Sequence, residues 1–188
     1  MPAGAGTIIR VTAERQRHEP RIGLVHVRRA RTGDVPGIER LVNGYAAERI
    51  LLAKERVTLY EDVQEFQVGE APDGSIVGCG ALHVLWEDLA EVRTLAVDAD
   101  WRGAGVGHAI LDTLVNQAGE LGVSRLFCLT FEVDFFAGHG FRSIDGTPVE
   151  PAVYAQLLRS MDEGVAEFLD LARVKPNTLG NTRMIREL

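Results

Sequence analysis

The chain has 188 residues, 46% of them hydrophobic and 25% charged, with a formal net charge of −7 at pH 7. Such a length and composition suit one soluble domain with a single sizeable core. The acidic balance argues against nucleic acid or an anionic membrane as the main partner, no apolar run reaches membrane-spanning length, and the N-terminus lacks the apolar core of a signal peptide, so a cytoplasmic protein is expected. Residues 1–20 read as a poorly ordered tail and 21–188 as one domain. Leu24–Arg28 alternates like a strand. Thr32-Gly33-Asp34-Val35-Pro36 starts a helix, with Thr32 or Asp34 as cap and Pro36 in the first turn. Val35, Ile38, Leu41 and Val42 form its apolar face, while Glu39, Arg40 and Asn43 face water. A short helix near Leu59–Phe66 precedes strands near Phe66–Val68 and Ser75–Leu85, joined through the turn Ala71-Pro72-Asp73-Gly74. Leu89–Val97 is a further strand, Gly105–Leu121 an amphipathic helix and Arg125–Phe131 a second apolar strand. Pro151–Met161 reads as helical and Met184–Leu188 as a last strand. The order predicts an α/β (α+β) fold with a mixed sheet. Cys79 and Cys128 sit in apolar runs and read as buried reduced thiols. The five histidines are dispersed without metal-ligand spacing, so no metal is expected.

The stretch from Leu89 to Phe131 is the most informative. Between its two strands lies Arg102-Gly103-Ala104-Gly105-Val106-Gly107-His108, which opens a helix. Alternate glycines expose backbone N–H groups where a helix N-terminus adds positive partial charge, and that combination binds phosphate. A P-loop needs Lys-Ser/Thr after its last glycine, and Gly107 is followed by His108-Ala109. The dinucleotide fingerprint G-x-G-x-x-G fails too, because the third position is His108 or Ile110. What remains, Arg102, Gly105 and Gly107 after a strand, resembles the pyrophosphate loop of the GNAT N-acetyltransferase superfamily. Phe135-Phe136-Ala137-Gly138-His139-Gly140-Phe141 resembles the aromatic-x-x-x-Gly-Phe element of the same superfamily.

That resemblance implies a mostly antiparallel mixed sheet with splayed central strands and flanking helices. Acetyl-CoA would lie in the gap, with Leu95, Val97 and the loop Arg102, Gly103, Ala104, Gly105, Val106, Gly107 and His108 as its contacts. Acetyl transfer to an amine needs a base, an oxyanion donor and a group to help the thiolate leave. Glu91, a carboxylate in an otherwise apolar strand, occupies the position of the family's glutamate base. From the residues alone it is equally a solvent-facing strand position. The Leu95 backbone N–H matches the oxyanion donor. The family's usual acid, a tyrosine, is replaced by Phe136, and Thr130 offers a hydroxyl instead.

Thr130 in that place resembles N-acetylglutamate synthases. Further segments, VHVRRARTGDVPGIERLV, ILLAKERVTLY, VGCGAL, EVRTLAV and EFLDLARVKPNTLGNTRM, extend the similarity over nearly the whole chain. Together they resemble the acetyltransferase domain of amino-acid N-acetyltransferases, most closely the short actinobacterial form. The resemblance implies acetylation of glutamate or glutamine at the first step of arginine synthesis, without the amino-acid-kinase-like domain of longer relatives, and it allows a homodimer. Lys54, Arg93, Lys175 and Arg183 are the candidate cations for substrate carboxylates, with Asn177 and Asn181 as polar partners. Arg93 shares the strand face of Glu91 by alternation, so it lines the same pocket or pairs with Glu91. Two other readings stand beside this one: a GNAT enzyme for peptide N-termini or another small amine, and a degenerate CoA-binding sensor.

Overall fold

The computed structural model describes residues 25–47, 51, 54–172, 174 and 180–188. Among the described residues, seven strands form one open sheet: β1 (His26–Arg29), β2 (Phe66–Glu70), β3 (Ile76–Trp86), β4 (Leu89–Val97), β5 (Arg125–Thr130), β6 (Arg142–Ser143) and β7 (Thr182–Glu187), in the order β1-β2-β3-β4-β5-β7-β6. Every neighbouring pair is antiparallel except β4 and β5, which are parallel. A parallel pair needs a crossover, and α3 (Val106–Glu120) supplies it.

The helices divide between the two faces. Helix α3 covers one, through Val106, Ile110, Leu111 and Leu114, packed with Ala90, Val92, Leu126 and Cys128. It lies close because β3 carries Gly78, where a Cβ would stand 2.7 Å from Val106 Cγ1 and 2.8 Å from Ile110 Cδ1. The other face is covered in two parts. α1 (Val35–Ala47) and α2 (Arg56–Glu61) bury Val35, Ile38, Leu41, Val42 and Leu59 against β2 and β3. α5 (Pro151–Leu157) and α6 (Glu163–Phe168) bury Leu157, Val165 and Phe168 against Leu89 and Phe127. The seam between these two parts is where the site forms.

Several boundaries differ from the sequence reading. A 3-10 turn, Thr32–Asp34, precedes α1; Arg31 is its N-cap and Asp34 is the acidic member of its capping box. Asp34 accepts from Arg31 N at 2.7 Å and also from Arg28 at 2.7 and 3.0 Å, which ties the turn to β1. The second helix starts earlier, at Arg56, and Val63–Glu65 is a separate 3-10 turn. The helix expected over Pro151–Met161 stops at Leu157, and α6 was not expected at all. Asp162 starts it by accepting from Val165 N at 2.8 Å, the ordinary behaviour of an Asp N-cap. α4 (Val133–Ala137) is a short turn between β5 and β6.

Candidate active site

Strand β4 is irregular at the point that matters. Its register with β3 steps from Cys79↔Ala96 to Ala81↔Arg93, two residues on one strand against three on the other. Thr94 takes up the extra residue with φ +58°, a strained value for a β-branched side chain and typical of bulges beside functional sites. Before the bulge, Ala90 and Val92 face α3 and Leu89 faces α5 and α6; after it, Leu95 and Val97 face α3 and Ala96 faces α1. Glu91 and Arg93 therefore point into the seam between α2 and α6.

Pairing between β4 and β5 runs only through Leu89↔Arg125, Ala90↔Leu126 and Glu91↔Phe127. Beyond Glu91 the strands separate, while β5 stays paired with β7 as far as Thr130↔Thr182. The splay begins at the proposed base. Asp98 N donates to Val77 O, so by strand alternation the N–H and C=O of Val97 turn away from β3 towards the gap. Tyr45, from α1, reaches them: its hydroxyl donates to Val97 O at 2.6 Å and accepts from Val97 N at 3.4 Å. The Arg102 guanidinium lies over the Tyr45 ring at 5.2 Å and donates to its hydroxyl at 3.3 Å. No periodic pattern marked Tyr45 as part of this region.

At the helix end of the gap, Gly103 (φ +76°) and Gly105 (φ +80°) hold left-handed conformations that disfavour other residues. Gly105 is the N-cap of α3, brings no side-chain hydrogen bond to the first turn, and no acidic residue stands there. These features fit the loop to an anionic phosphate. His108 is less free than its place in the loop implied. Its Nδ1 lies 3.0 Å from His139 Nε2, and His139 Nδ1 lies 2.9 Å from Phe135 O. Phe136 is core, edge-on to Phe135 and Phe141.

Glu91 is 3% exposed. Burial pushes its carboxyl up to about 7, although Arg93 and His83 pull the other way. Arg93 is held by Asp162 at 2.8 Å and Glu65 at 3.1 Å, with Asp62 at 3.6 Å and His83 Nδ1 at 2.9 Å. So Arg93 shares the face of Glu91, as alternation implied, but its hydrogen bonds go to other groups. Burial works against the Glu65 and Asp162 carboxylates, yet His83 and Arg93 hold Glu65, and Arg93 with the Val165 N–H holds Asp162, below the usual range. Asp162 joins α6 to β4 by capping the helix and binding Arg93 at once.

A cavity of about 630 Å³ opens here, lined by Lys54, Glu55, Glu61, Asp62, Glu91, Arg93, Asp162, Glu163, Glu167 and Asn181 among others. Lys54 and Arg93 are the cations among the described lining residues, and Lys54 contacts Asp62 at 3.1 Å. Glu167 is a second carboxyl raised to about 7, by burial first and then by Glu163 and Asp162. Asp162 and Glu167 were missed in the sequence; the signal was a polar pair in an otherwise apolar helix after an N-cap aspartate. Lys175 and Asn177 lie outside the described residues.

Thr130 is buried at the end of β5, where its Oγ1 accepts from Glu132 N at 2.9 Å. That leaves its own proton to donate. Cys128 faces α3 and Phe127 faces α6, so alternation places Thr130 on the α3 face, across the gap from Glu91.

Arg183 is not in this cavity. It lines a neighbouring recess with Ser143, Asp145 and Gly146, and Asn181 lines both. Its guanidinium donates to Gly146 O at 2.9 Å, Glu167 O at 3.3 Å and Phe168 O, and lies over the Phe127 ring at 5.0 Å. Arg183→Met should therefore strip carbonyls of their donor and lower stability by about 2–3 kcal/mol, read from the urea midpoint. Acetyl-CoA binding by the folded variant should not change. A raised amino-acid KM at unchanged stability would return Arg183 to the substrate.

The Acetyltransferase (GNAT) family model matches residues 42–141. An amino-acid acetyltransferase of Mycobacterium tuberculosis is 61% identical over 161 residues, which are 85% of this chain and 92% of that protein. The fold is similar to the crystal structure of Rv2747 from Mycobacterium tuberculosis in complex with CoA and NLQ, with a TM-score of 0.84 and 60% identity over 87% of this chain and 99% of the other. It is also similar to N-acetylglutamate synthase from Neisseria gonorrhoeae complexed with coenzyme A and N-acetyl-glutamate, with a TM-score of 0.69 and 26% identity over 87% of this chain and 35% of that longer one.

Proposed function

The chain belongs to the GNAT acetyltransferase family and is an acetyltransferase, and we propose that it moves the acetyl group of acetyl-CoA to the α-amine of a free amino acid of the glutamate or glutamine type. The observation that carries this is the position of Glu91: buried, raised to about 7, and placed where β4 and β5 part. Similarity to proteins that carry CoA and N-acetyl-glutamate supports the acceptor class. A cytoplasmic place at the start of arginine synthesis is part of the same proposal.

Each residue has one task. The N–H groups of the Gly103–His108 turn hold the pyrophosphate. The Leu95 N–H donates to the carbonyl oxygen as it becomes an oxyanion. The amine nitrogen forms a bond to the acetyl carbon, the C–S bond breaks, and Glu91 takes the proton released from nitrogen. Thr130 is far too weak an acid to protonate a thiolate outright, so its hydroxyl stabilises the leaving sulfur by a hydrogen bond. Lys54 binds the α-carboxylate from the cavity wall as a point charge.

Thiol release from acetyl-CoA, followed against free amino acids, their amide-blocked forms, dipeptides and simple amines, tests the proposal. Free glutamate or glutamine should be turned over and the blocked forms should be poor. Lys54→Met should raise the amino-acid KM roughly ten- to a hundredfold, the equivalent of a charge-assisted contact of ~1.5–3 kcal/mol, with little effect on acetyl-CoA. If blocked and free substrates react equally, the carboxylate is not read, and acetylation of peptide termini becomes the better account.

A further inference from the structure

One side chain reaches into the gap that acetyl-CoA must cross. The pyrophosphate on the Gly103–His108 turn and the acetyl carbon beside the Leu95 N–H and Glu91 are two ends of one molecule, and Val97 lies between those contacts along the chain. The arm that joins the two ends carries two amide groups. Each amide brings an N–H and a C=O, and out of water both need partners. The N–H and C=O of Val97, turned from β3 towards the gap, are such partners. The Tyr45 hydroxyl already holds them, donating to Val97 O at 2.6 Å and accepting from Val97 N at 3.4 Å.

A hydroxyl that donates to a residue's C=O and accepts from its N–H bonds as the backbone of a neighbouring strand would. An amide of the arm offers the same two complementary groups. We propose that Tyr45 is a determinant of acetyl-CoA affinity, because its hydroxyl and an amide of the arm compete for the same backbone groups of Val97. When acetyl-CoA binds, the arm takes Val97 and the hydroxyl gives it up. This rests on the reading above that places the cofactor between the Gly103–His108 turn and Leu95.

Two elements place the competitor. Tyr45 sits in the last turn of α1, and its partly buried side chain packs against the apolar core under that helix. From the phosphate turn, the Arg102 guanidinium lies over the ring at 5.2 Å and donates to the hydroxyl at 3.3 Å. The hydroxyl is therefore held from both sides of the gap. Exchanging one hydrogen bond for another is close to neutral, so the arm replaces the hydroxyl without a large penalty. Even so, the arm meets Val97 only in the fraction of molecules whose hydroxyl has let go, and the apparent affinity falls by that fraction. A ligand that has the pyrophosphate and no arm does not compete with the hydroxyl.

The test compares ligands with and without the arm. Tyr45→Phe keeps the ring and removes the hydroxyl. By calorimetry, acetyl-CoA and CoA should each bind the variant about three- to tenfold tighter than wild type, the equivalent of one hydrogen bond no longer broken. ADP, which has a pyrophosphate and no arm, should bind the two proteins alike. Weaker acetyl-CoA binding by Tyr45→Phe would make the hydroxyl a contact of the bound cofactor and overturn the proposal. Unchanged binding would mean that the arm does not use Val97, and would overturn it as well. So would an equal gain for ADP, which would put the effect at the phosphate turn. A folded Gly105→Val protein with wild-type ADP binding would remove the underlying reading of the turn instead, which is a different result.

Discussion

Glu91→Gln is expected to lower turnover about 10²–10⁴-fold near neutral pH while acetyl-CoA binding is unchanged. The argument is one of charge in a dry place. Burial raises the carboxyl to about 7, Arg93 and His83 oppose the rise, and Glu167 and Asp162 add to it. A group tuned to this range is half-ionised near neutrality, where a base both accepts and releases a proton well. Because the base must be ionised to act, wild-type kcat/KM for the amino acid should climb with pH through about 7. The variant should lack that inflection, and its deficit should shrink at higher pH as the bulk takes over the proton. The same shift has a consequence for stability. A carboxyl whose pKa is higher in the folded state than in the unfolded one favours folding at low pH and loses that benefit as pH rises through the folded value. From the model-peptide value of 4.5 to about 7, the difference amounts to at most ~3 kcal/mol above pH 7. Glu91→Gln should therefore be more stable than wild type at pH 8 and nearly equal at pH 4. Near-wild-type turnover at pH 7, or a stability gap that widens on acidification, would end the assignment of Glu91 as base.

The elements that make the site could be read from local pattern where the pattern is strong. Strand β4 has the bounds expected, Leu89–Val97; α3 is one residue shorter than expected at each end, and β5 one residue shorter at its C-terminal end. Each is a continuous apolar or amphipathic run bounded by turn residues, so local chemistry and burial agree. Glu91 was visible for the same reason, as a charge inside such a run. What escaped depends on distant residues. Arg93 was placed on the right face by alternation, but its main partner, Asp162, lies 69 positions along the chain. The Thr94 bulge has no local signature, because nothing in a threonine announces a positive φ. Arg183 offers the same guanidinium to a carboxylate or to main-chain carbonyls, and only the path of α6 decides between them. The break before α6 falls at Ser160-Met161-Asp162, where an N-cap competes with continuing a helix.

Gly164→Ala is expected to be among the most damaging substitutions of a small residue in this chain, and Gly119→Ala serves as its opposite. Both glycines are helical, Gly119 in α3 and Gly164 in α6. In an open helix position, alanine gains about 1 kcal/mol over glycine. A Cβ on Gly119 meets nothing within 4 Å, so that variant should be more stable by about this amount. A Cβ on Gly164 would stand 2.7 Å from Arg93 Nη1, 3.0 Å from Asp162 Oδ1 and 3.5 Å from Glu91 Oε2. The tip of an arginine usually moves aside at little cost. This one is bound by Asp162 at 2.8 Å, Glu65 at 3.1 Å and His83 at 2.9 Å, and its side chain is only 8% exposed. To make room, either Arg93 gives up its carboxylates or α6 lifts off β4. Overpacking of this kind costs about 1–3 kcal/mol, which outweighs the helical gain. For a chain of this size each kcal/mol shifts Tm by roughly 2–4 °C, so the two alanine variants should move Tm in opposite directions. Activity separates a local effect from a global one. Arg93 supplies the largest force keeping Glu91 from rising further, so its displacement should shift the pH inflection of kcat/KM upward and lower activity at pH 7 tenfold or more. Acetyl-CoA, whose pyrophosphate is proposed to sit on the Gly103–His108 turn, should bind as in wild type. A Gly164→Ala enzyme with a wild-type Tm and an unshifted pH profile would mean that Arg93 has room to move, and that the tie between α6 and β4 does not set the state of Glu91.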